Sequence, residues 1–317
     1  ISSDNGGPLS WIVGLNYFDQ EVNYDFDLRI GAIGGGNVPA STGWGTYNLD
    51  TYGIFASFDY EMSDKWTLTV GGRYTNEEKD VHWRASSYPE YAQNERLTLA
   101  AALLPNKAAE EWSSFDPKVT LTYNLENNGI IYATYATGFK SGGYNAPTRQ
   151  GGEVLEPEEI MMIELGYKAD LTDTLRITSS FFMYDYEDLQ VTRAAVGTGT
   201  VTTENATDSE VMGADFDLTW LVSDSFTLRF GGEILDAEYE DFETGSRVAN
   251  TILTGDPDAV GYGLRFFNAK GHSLLRAADS SFFLAANYES GPISVNLNYS
   301  WTDEYYFDFV LDPASDS

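Results

Sequence analysis

The chain has 317 residues, 42% of them hydrophobic and 15% aromatic, with a formal net charge of −31 and no cysteine. That acidity excludes a nucleic-acid partner, whose phosphates require a basic surface, and the lack of cysteine excludes disulfides and thiolate metal sites. The longest pure apolar stretch, Leu99 to Leu104, ends at Pro105 and falls far short of the roughly 18 residues that a membrane helix needs.

Strong acidity alone would suggest disorder, but 21 Tyr, 18 Phe and 7 Trp contradict it. The first residues, Ile1-Ser2-Ser3-Asp4, carry neither a basic region nor an apolar core. The expectation is a processed precursor or a chain that begins inside a longer protein.

From there a two-residue alternation of apolar and polar side chains dominates. It opens with Trp11/Val13/Leu15/Tyr17 and continues with Tyr52/Ile54/Ala56/Phe58/Tyr60. In Trp66 to Thr75 one face reads Trp66, Leu68, Val70, Gly72, Tyr74, and the other Thr67, Thr69, Gly71, Arg73, Thr75. Next come Val119/Leu121/Tyr123 beside Lys118, then Ile131/Ala133/Tyr135 in a less polarised stretch. Met161/Ile163/Leu165/Tyr167 alternate with Glu164 and Lys168 and are followed by Asp170; Leu175/Ile177/Phe181/Met183 follow, beside Arg176. Phe216/Leu218/Trp220 alternate with Asp215 and Asp217, and Phe226/Leu228/Phe230 with Arg229, Glu233 following. The series ends with Phe282/Leu284/Ala286/Tyr288 and with Ile293/Val295/Leu297/Tyr299/Trp301, the latter set against Asn296 and Asn298. These patterns predict about eleven strands.

The connections alternate in length. Short polar turns are expected at Met62-Ser63-Asp64-Lys65, Glu126-Asn127-Asn128, Thr172-Asp173-Thr174, Ser223-Asp224-Ser225 and Glu289-Ser290-Gly291-Pro292. Long loops are expected at 19–50, 77–111, 140–159, 187–209 and 240–279. Short turns at one end and long loops at the other are the pattern of an outer-membrane barrel. Tyr and Trp near the strand ends fit its two aromatic girdles. The fold class is therefore read as all-β: an antiparallel up-and-down transmembrane barrel segment with short periplasmic turns and long extracellular loops.

On this reading Trp66, Leu68, Val70, Tyr74, Leu121, Tyr123, Ile163, Leu165, Leu218, Trp220, Phe226, Leu228, Val295, Leu297 and Tyr299 face lipid. Arg73, Lys118, Glu164, Lys168, Asp215, Asp217, Arg229, Asn296 and Asn298 face a wet lumen. Charges cannot face hydrocarbon at tolerable cost, and a barrel of about eight strands would fill its interior with side chains. An odd count of about eleven cannot close a single-chain bacterial barrel, so residues 1–317 are expected to be one incomplete barrel domain.

Little points to catalysis or metal binding. Asp80 and His82 share a face if their strand continues, and read as a solvated pair rather than a surface protease. Gly271-His272-Ser273-Leu274-Leu275 breaks the Gly-x-Ser-x-Gly pattern at its last position. Gly34-Gly35-Gly36 precedes Asn37-Val38-Pro39, not a helix, and reads as loop. The acidic runs Asp185 to Asp188 and Asp236 to Glu243 could offer oxygen ligands to a divalent cation. They lack Asp-x-Asp-x-Asp-Gly spacing, which favours a solvated rim. Arg96 to Glu111 predicts a short helix inside a loop. No cofactor is expected.

Several stretches resemble TonB-dependent outer-membrane receptors. Tyr132-Ala133-Thr134-Tyr135-Ala136-Thr137-Gly138-Phe139-Lys140-Ser141-Gly142-Gly143-Tyr144-Asn145 looks like a hallmark of that family. Glu156-Pro157-Glu158, Glu164-Leu165-Gly166-Tyr167-Lys168 and Asn205-Ala206 with Gly213 resemble its next segments. Phe115-Asp116-Pro117-Lys118-Val119 and Gly71-Gly72-Arg73-Tyr74-Thr75 fit in order. The resemblance implies a barrel of about 22 strands, of which this chain would supply roughly the ninth to the nineteenth, with the plug domain and last strands absent. It implies energy-coupled uptake of a scarce ligand such as a ferric siderophore across a Gram-negative outer membrane. The implied partners are membrane lipid and lipopolysaccharide, and the TonB energising complex through the missing N-terminal part. Tyr144, Asn145 and Arg149 are the candidate ligand contacts. A passive porin is the alternative reading and a surface enzyme the third. A plug domain upstream would separate receptor from porin.

Overall fold

Alternating side chains become strands because only an extended backbone sends successive residues to opposite faces. The computed structural model describes residues 2–3, 6–31, 37–87, 107–126, 129–144, 154–195, 200–249 and 262–307. In chain order the strands are β1 (Ser2–Ser3), β2 (Leu9–Gly31), β3 (Asn37–Glu61), β4 (Trp66–Ser87), β5 (Lys107–Asn124), β6 (Ile130–Lys140), β7 (Gly143–Tyr144) and β8 (Val154–Leu155). They continue as β9 (Glu158–Thr172), β10 (Leu175–Ala195), β11 (Thr200–Ser223), β12 (Phe226–Asp241), β13 (Glu243–Ala249), β14 (Tyr262–Asn268), β15 (Ser280–Ser290) and β16 (Ile293–Thr302).

One sheet carries the order β1-β2-β3-β4-β5-β6-β9-β10-β11-β12-β15-β16, and every pairing in it is antiparallel. Its eleven long strands coincide with the eleven alternating stretches, and β1 adds a two-residue cap to β2. The sheet is open at both edges. β7 pairs with β8, and β13 with β14, in small accessory hairpins.

Local hydrogen bonds tie the tight turns. The Ser63 hydroxyl accepts the Lys65 and Trp66 amides at 3.3 and 3.2 Å, Thr172 Oγ1 accepts the Thr174 amide, and Ser223 Oγ accepts the Ser225 amide. Gly291 turns the last hairpin at φ 59°, a left-handed conformation that glycine takes without a Cβ clash.

The register sorts the side chains into rows. Phe58, Val70, Val119, Tyr135, Ile163 and Met183 lie opposite one another on one face. One residue along, Asp59, Thr69, Thr120, Thr134 and Glu164 form the matching row on the other. Thr69 Oγ1 donates to Asp59 at 2.5 Å, and the Thr120 and Thr134 hydroxyls meet at 3.0 Å. The apolar face is bare: Val70 is 43% exposed, Ile163 44% and Leu297 66%. Burial is concentrated on the polar face of β10–β12, where Phe182, Val211 and Ala237 pack with Leu235 and Leu274. A second cluster joins Val191, Ala206, Tyr239, Phe242 and Ala269.

Three of the long loops expected from the sequence are in large part strand. β2 and β3 run on to Gly31 and back from Asn37, β4 and β5 to Ser87 and from Lys107, and β10 and β11 to Ala195 and from Thr200. On these extensions polar and charged residues such as Glu77-Glu78-Lys79-Asp80 occupy both faces, so the alternation fades while the backbone ladder continues. The segment 140–159 contains β7 and β8, and 240–279 contains β13 and β14. The expected helix is corrected where it can be seen: residues 107–111 open β5, and the rest lies outside the described residues. Gly34-Gly35-Gly36 also lies outside them. Asp80 and His82 share a face of β4, which continues to Ser87, and His82 is exposed. Gly271-His272-Ser273 forms a turn at φ 72° for Gly271, with a single bridge from Ser273 to Glu238.

Candidate functional site

The site grows out of a split in the sheet. β5 and β6 pair from Asn124↔Ile130 up to Lys118↔Ala136. Among the described residues β5 continues beyond that pair with β4 alone, as far as Lys107↔His82, and β6 with β9 alone, to Lys140↔Glu158. Pro117 stands at the branch point and has no N–H to donate to a ladder. Ser114, Phe115 and Asp116 face Thr137 and Gly138 across the resulting cleft.

The cleft is bridged at its upper end by a charged cluster. Lys79 Nζ sits 2.9 Å from Glu77 Oε1 and donates to Ser141 Oγ and to the Gly142 carbonyl, both at 2.6 Å. The Ser141 hydroxyl in turn donates to Glu77, which also accepts from Thr51. The Lys79 ammonium lies 5.4 Å from the centre of the Trp112 ring, and Trp112 meets Tyr144 edge-on at 6.3 Å. A Cβ on Gly142 would collide with the Leu155 carbonyl and the Trp112 indole, so this close approach requires glycine.

Electrostatics follow from the packing. Burial alone would raise the Glu77 carboxyl, but hydrogen bonds from Ser141, Lys79 and Thr51 and the Lys79 charge hold it below its ordinary value. Burial, reinforced by the carboxylates of Glu110 and Asp80 and by Tyr47, pushes the Tyr144 hydroxyl up to about 12. Glu77 is therefore ionised and Tyr144 neutral at neutral pH.

Two amides hold the returning segment. Gln190 Nε2 donates to the Ser141 and Glu156 carbonyls at 3.1 and 3.0 Å, and its backbone amide donates to Glu158 at 2.8 Å. Asn205 Nδ2 donates to the Glu156 and Asp188 carbonyls, while its Oδ1 accepts the Glu156 amide. Asp188 sits at φ 54°, a left-handed position that Asp tolerates better than most residues. The stretches Ser141-Gly142-Gly143-Tyr144, Glu156-Pro157-Glu158 and Asn205-Ala206, far apart in sequence, thus meet in one place.

Of the three candidate contacts, Tyr144 lies here half-buried, and Asn145 and Arg149 lie outside the described residues. By register Arg73, Lys118, Glu164, Lys168, Asp215, Asp217, Arg229, Asn296 and Asn298 lie on one face of the sheet. Arg73 donates to Asn16 at 2.8 Å and Thr75 at 2.9 Å, Lys168 stands over the Tyr132 ring at 5.2 Å, and Tyr132 donates to Glu164. Ser180 donates to Asp215 at 2.6 Å, and Arg229 pairs with Asp217 at 2.6 Å. Lys79 and Gln190 fall in the stretches 77–111 and 187–209 expected as long loops, and Trp112 stands just beyond the first, so no local pattern marks the three as partners. Among the described residues no group of three or more His, Asp or Glu is placed to hold a metal ion.

The family model for the TonB-dependent receptor-like β-barrel matches residues 2–315. This chain belongs to the TonB-dependent receptor β-barrel family. A probable TonB-dependent siderophore receptor, PiuA of Acinetobacter baumannii, is 24% identical over 198 residues, 60% of this chain and 24% of that protein. The ferric yersiniabactin uptake receptor FyuA of Yersinia pestis superposes with a TM-score of 0.70 at 14% identity, over 96% of this chain and 42% of that one. The structure of PiuA superposes at 0.65 and 16% identity, over 96% and 45%. The chain covers less than half the length of PiuA and of FyuA. TonB-dependent receptors are barrels of the Gram-negative outer membrane, and this chain is a part of such a barrel.

Proposed function

We propose that residues 1–317 form one barrel domain of a longer receptor that captures a scarce ligand, of the ferric siderophore class, and imports it with energy from the TonB complex. The observation that carries this reading is the receptor-barrel match from residue 2 to residue 315. PiuA is named as a siderophore receptor and FyuA as a ferric yersiniabactin uptake receptor, which supports the ligand class. The family is made of transport receptors, and the parent protein acts as a carrier rather than an enzyme.

The bare apolar face then meets lipid. In water it would sacrifice about 25 cal/mol for each Å² of apolar surface left uncovered. Trp66, Leu68, Val70, Tyr74, Leu121, Tyr123, Ile163, Leu165, Leu218, Trp220, Phe226, Leu228, Val295, Leu297 and Tyr299 form this surface. The face with Arg73, Lys118, Glu164, Lys168, Asp215, Asp217, Arg229, Asn296 and Asn298 lines the lumen. The short turns lie in the periplasm and the long hairpins outside, next to lipopolysaccharide, so the Lys79–Tyr144 cluster stands at the outer mouth.

Uptake of iron-55 bound to a panel of hydroxamate and catecholate chelators tests the function in cells expressing the full-length parent. With the energising complex deleted, at least one complex should still bind, and its import should stop. Import that persists in proportion to external concentration would identify a passive porin instead.

A further inference from the structure

Above Lys118↔Ala136 no backbone ladder joins β5 to β6 among the described residues. The wall is rejoined higher up by side chains. Lys79 is 9% exposed and Ser141 8%. An ammonium has three protons to donate, and here each has an acceptor: Glu77 at 2.9 Å, Ser141 at 2.6 Å and the Gly142 carbonyl at 2.6 Å. The four-carbon stem carries the charge from β4 past the Trp112 indole of β5 to the chain that leaves β6. Glu77 closes the ring by accepting from the same Ser141 hydroxyl and from Thr51 of β3.

We propose that Lys79 is the positioning residue of the mouth: its ammonium fixes the base of the Tyr144 segment to β4 across the β5–β6 split. The assignment of this base to a ligand-capturing mouth rests on the receptor reading; the clamp itself does not. Three features of the site fit the role. Removing the ammonium takes the charge partner from the part-buried Glu77 carboxylate, leaving it the Ser141 and Thr51 hydroxyls, and leaves the Gly142 carbonyl without its lysine donor, so both sides of the bridge are weakened at once. Arginine is a poor replacement, because its planar fork cannot spread three bonds over acceptors grouped around one nitrogen. Gly142 leaves no slack, since even a methyl group there would strike Leu155 and Trp112.

The test is hydrogen exchange by mass spectrometry on the full-length receptor in lipid nanodiscs, without ligand. Lys79→Met and Lys79→Cys should each speed exchange in peptides covering 141–144 and 154–156 by about tenfold or more, leaving peptides from 113–124 and 130–136 at wild-type rates. Aminoethylation of Lys79→Cys, which rebuilds an ammonium on a stem of nearly equal length, should restore slow exchange. Ser141→Ala, which removes a single acceptor, should give an intermediate acceleration even if the lysine variants fold poorly. Unchanged exchange at 141–144 in every variant would overturn the proposal. So would acceleration spread evenly over the whole sheet, or failure of the aminoethylated protein to recover. Because no ligand is present, these outcomes are independent of whether the parent imports a siderophore.

Discussion

Val70 and Thr69 are neighbours in sequence and should occupy different solvents. Val70 lies four residues from Trp66 and four from Tyr74, the two outward aromatics of β4. At about 3.3 Å per residue those rings stand roughly 26 Å apart along the strand, or about 20 Å in height at a tilt near 40°. That is close to the thickness of an apolar band, with Val70 at its middle. Val70→Arg would place a guanidinium among Phe58, Val119 and lipid, at a cost of about 2–4 kcal/mol, equivalent to a shift of about 30-fold to 900-fold in the folding equilibrium. Thr69→Arg puts the same side chain beside the Asp59 carboxylate, which Thr69 already contacts at 2.5 Å, and should change stability by no more than about 0.5 kcal/mol. Strand propensity cancels, because the introduced residue is the same. The assay is reversible folding of the full-length receptor into lipid vesicles, followed by denaturant titration. A larger loss for Thr69→Arg would turn the sheet inside out, and two equal small losses would remove this strand from the membrane.

Further outcomes follow from other parts of the wall. In a cysteine-free full-length receptor on intact cells, a membrane-impermeant thiol reagent should label Lys270→Cys and spare Asp224→Cys; the reverse would invert the topology. Because the folded Glu77 carboxyl titrates below its ordinary value, its stabilising contribution is complete above that ordinary value and is lost as pH falls through the lowered one. The difference in thermal unfolding midpoint between wild type and Glu77→Gln should therefore be present at neutral pH and vanish in acid, and a difference that grew on acidification would contradict the clamp geometry. Gly213→Ala would drive a Cβ to 2.5 Å from the Phe182 ring and 2.9 Å from the Ile234 carbonyl, costing about 1–3 kcal/mol in the same vesicle assay, whereas Gly143→Ala, with nothing within 4 Å of its Cβ, should escape this steric penalty.

Eleven strands, their order of polarity and their tight turns were legible because a sheet with one apolar and one polar face carries a strict alternation. Val70 against Thr69 and Leu297 against Asn298 show it plainly. The same rule explains what was missed. Glu21 and Glu78 lie on strand extensions that carry charged residues on both faces, so the polarity pattern fades and those stretches read as loop. The Lys79 clamp was invisible for a different reason. Its members come from β3, β4, β5 and the segment after β6, and no local spacing links Thr51, Lys79, Trp112 and Ser141. Asn205 belongs to a motif visible in the sequence, but the groups it ties, the Glu156 and Asp188 carbonyls, lie 49 and 17 residues away along the chain. Tyr144 is a candidate contact through its place in the expected extracellular loop 140–159, and its contact with Trp112 gives it a defined seat.

The length of the strands has a consequence for what the cell shows to its surroundings. β3 has 25 residues, and a barrel strand needs about 9–11 to cross the bilayer. About 14 residues are left over, and at about 3.3 Å each they make a stalk of roughly 45 Å along the strand. On the topology proposed above, hydrogen-bonded hairpins of that reach make a stiff palisade standing above the lipid headgroups. An antibody or phage arriving from outside would meet this rampart, with its carboxylate-rich flank, before it met the membrane.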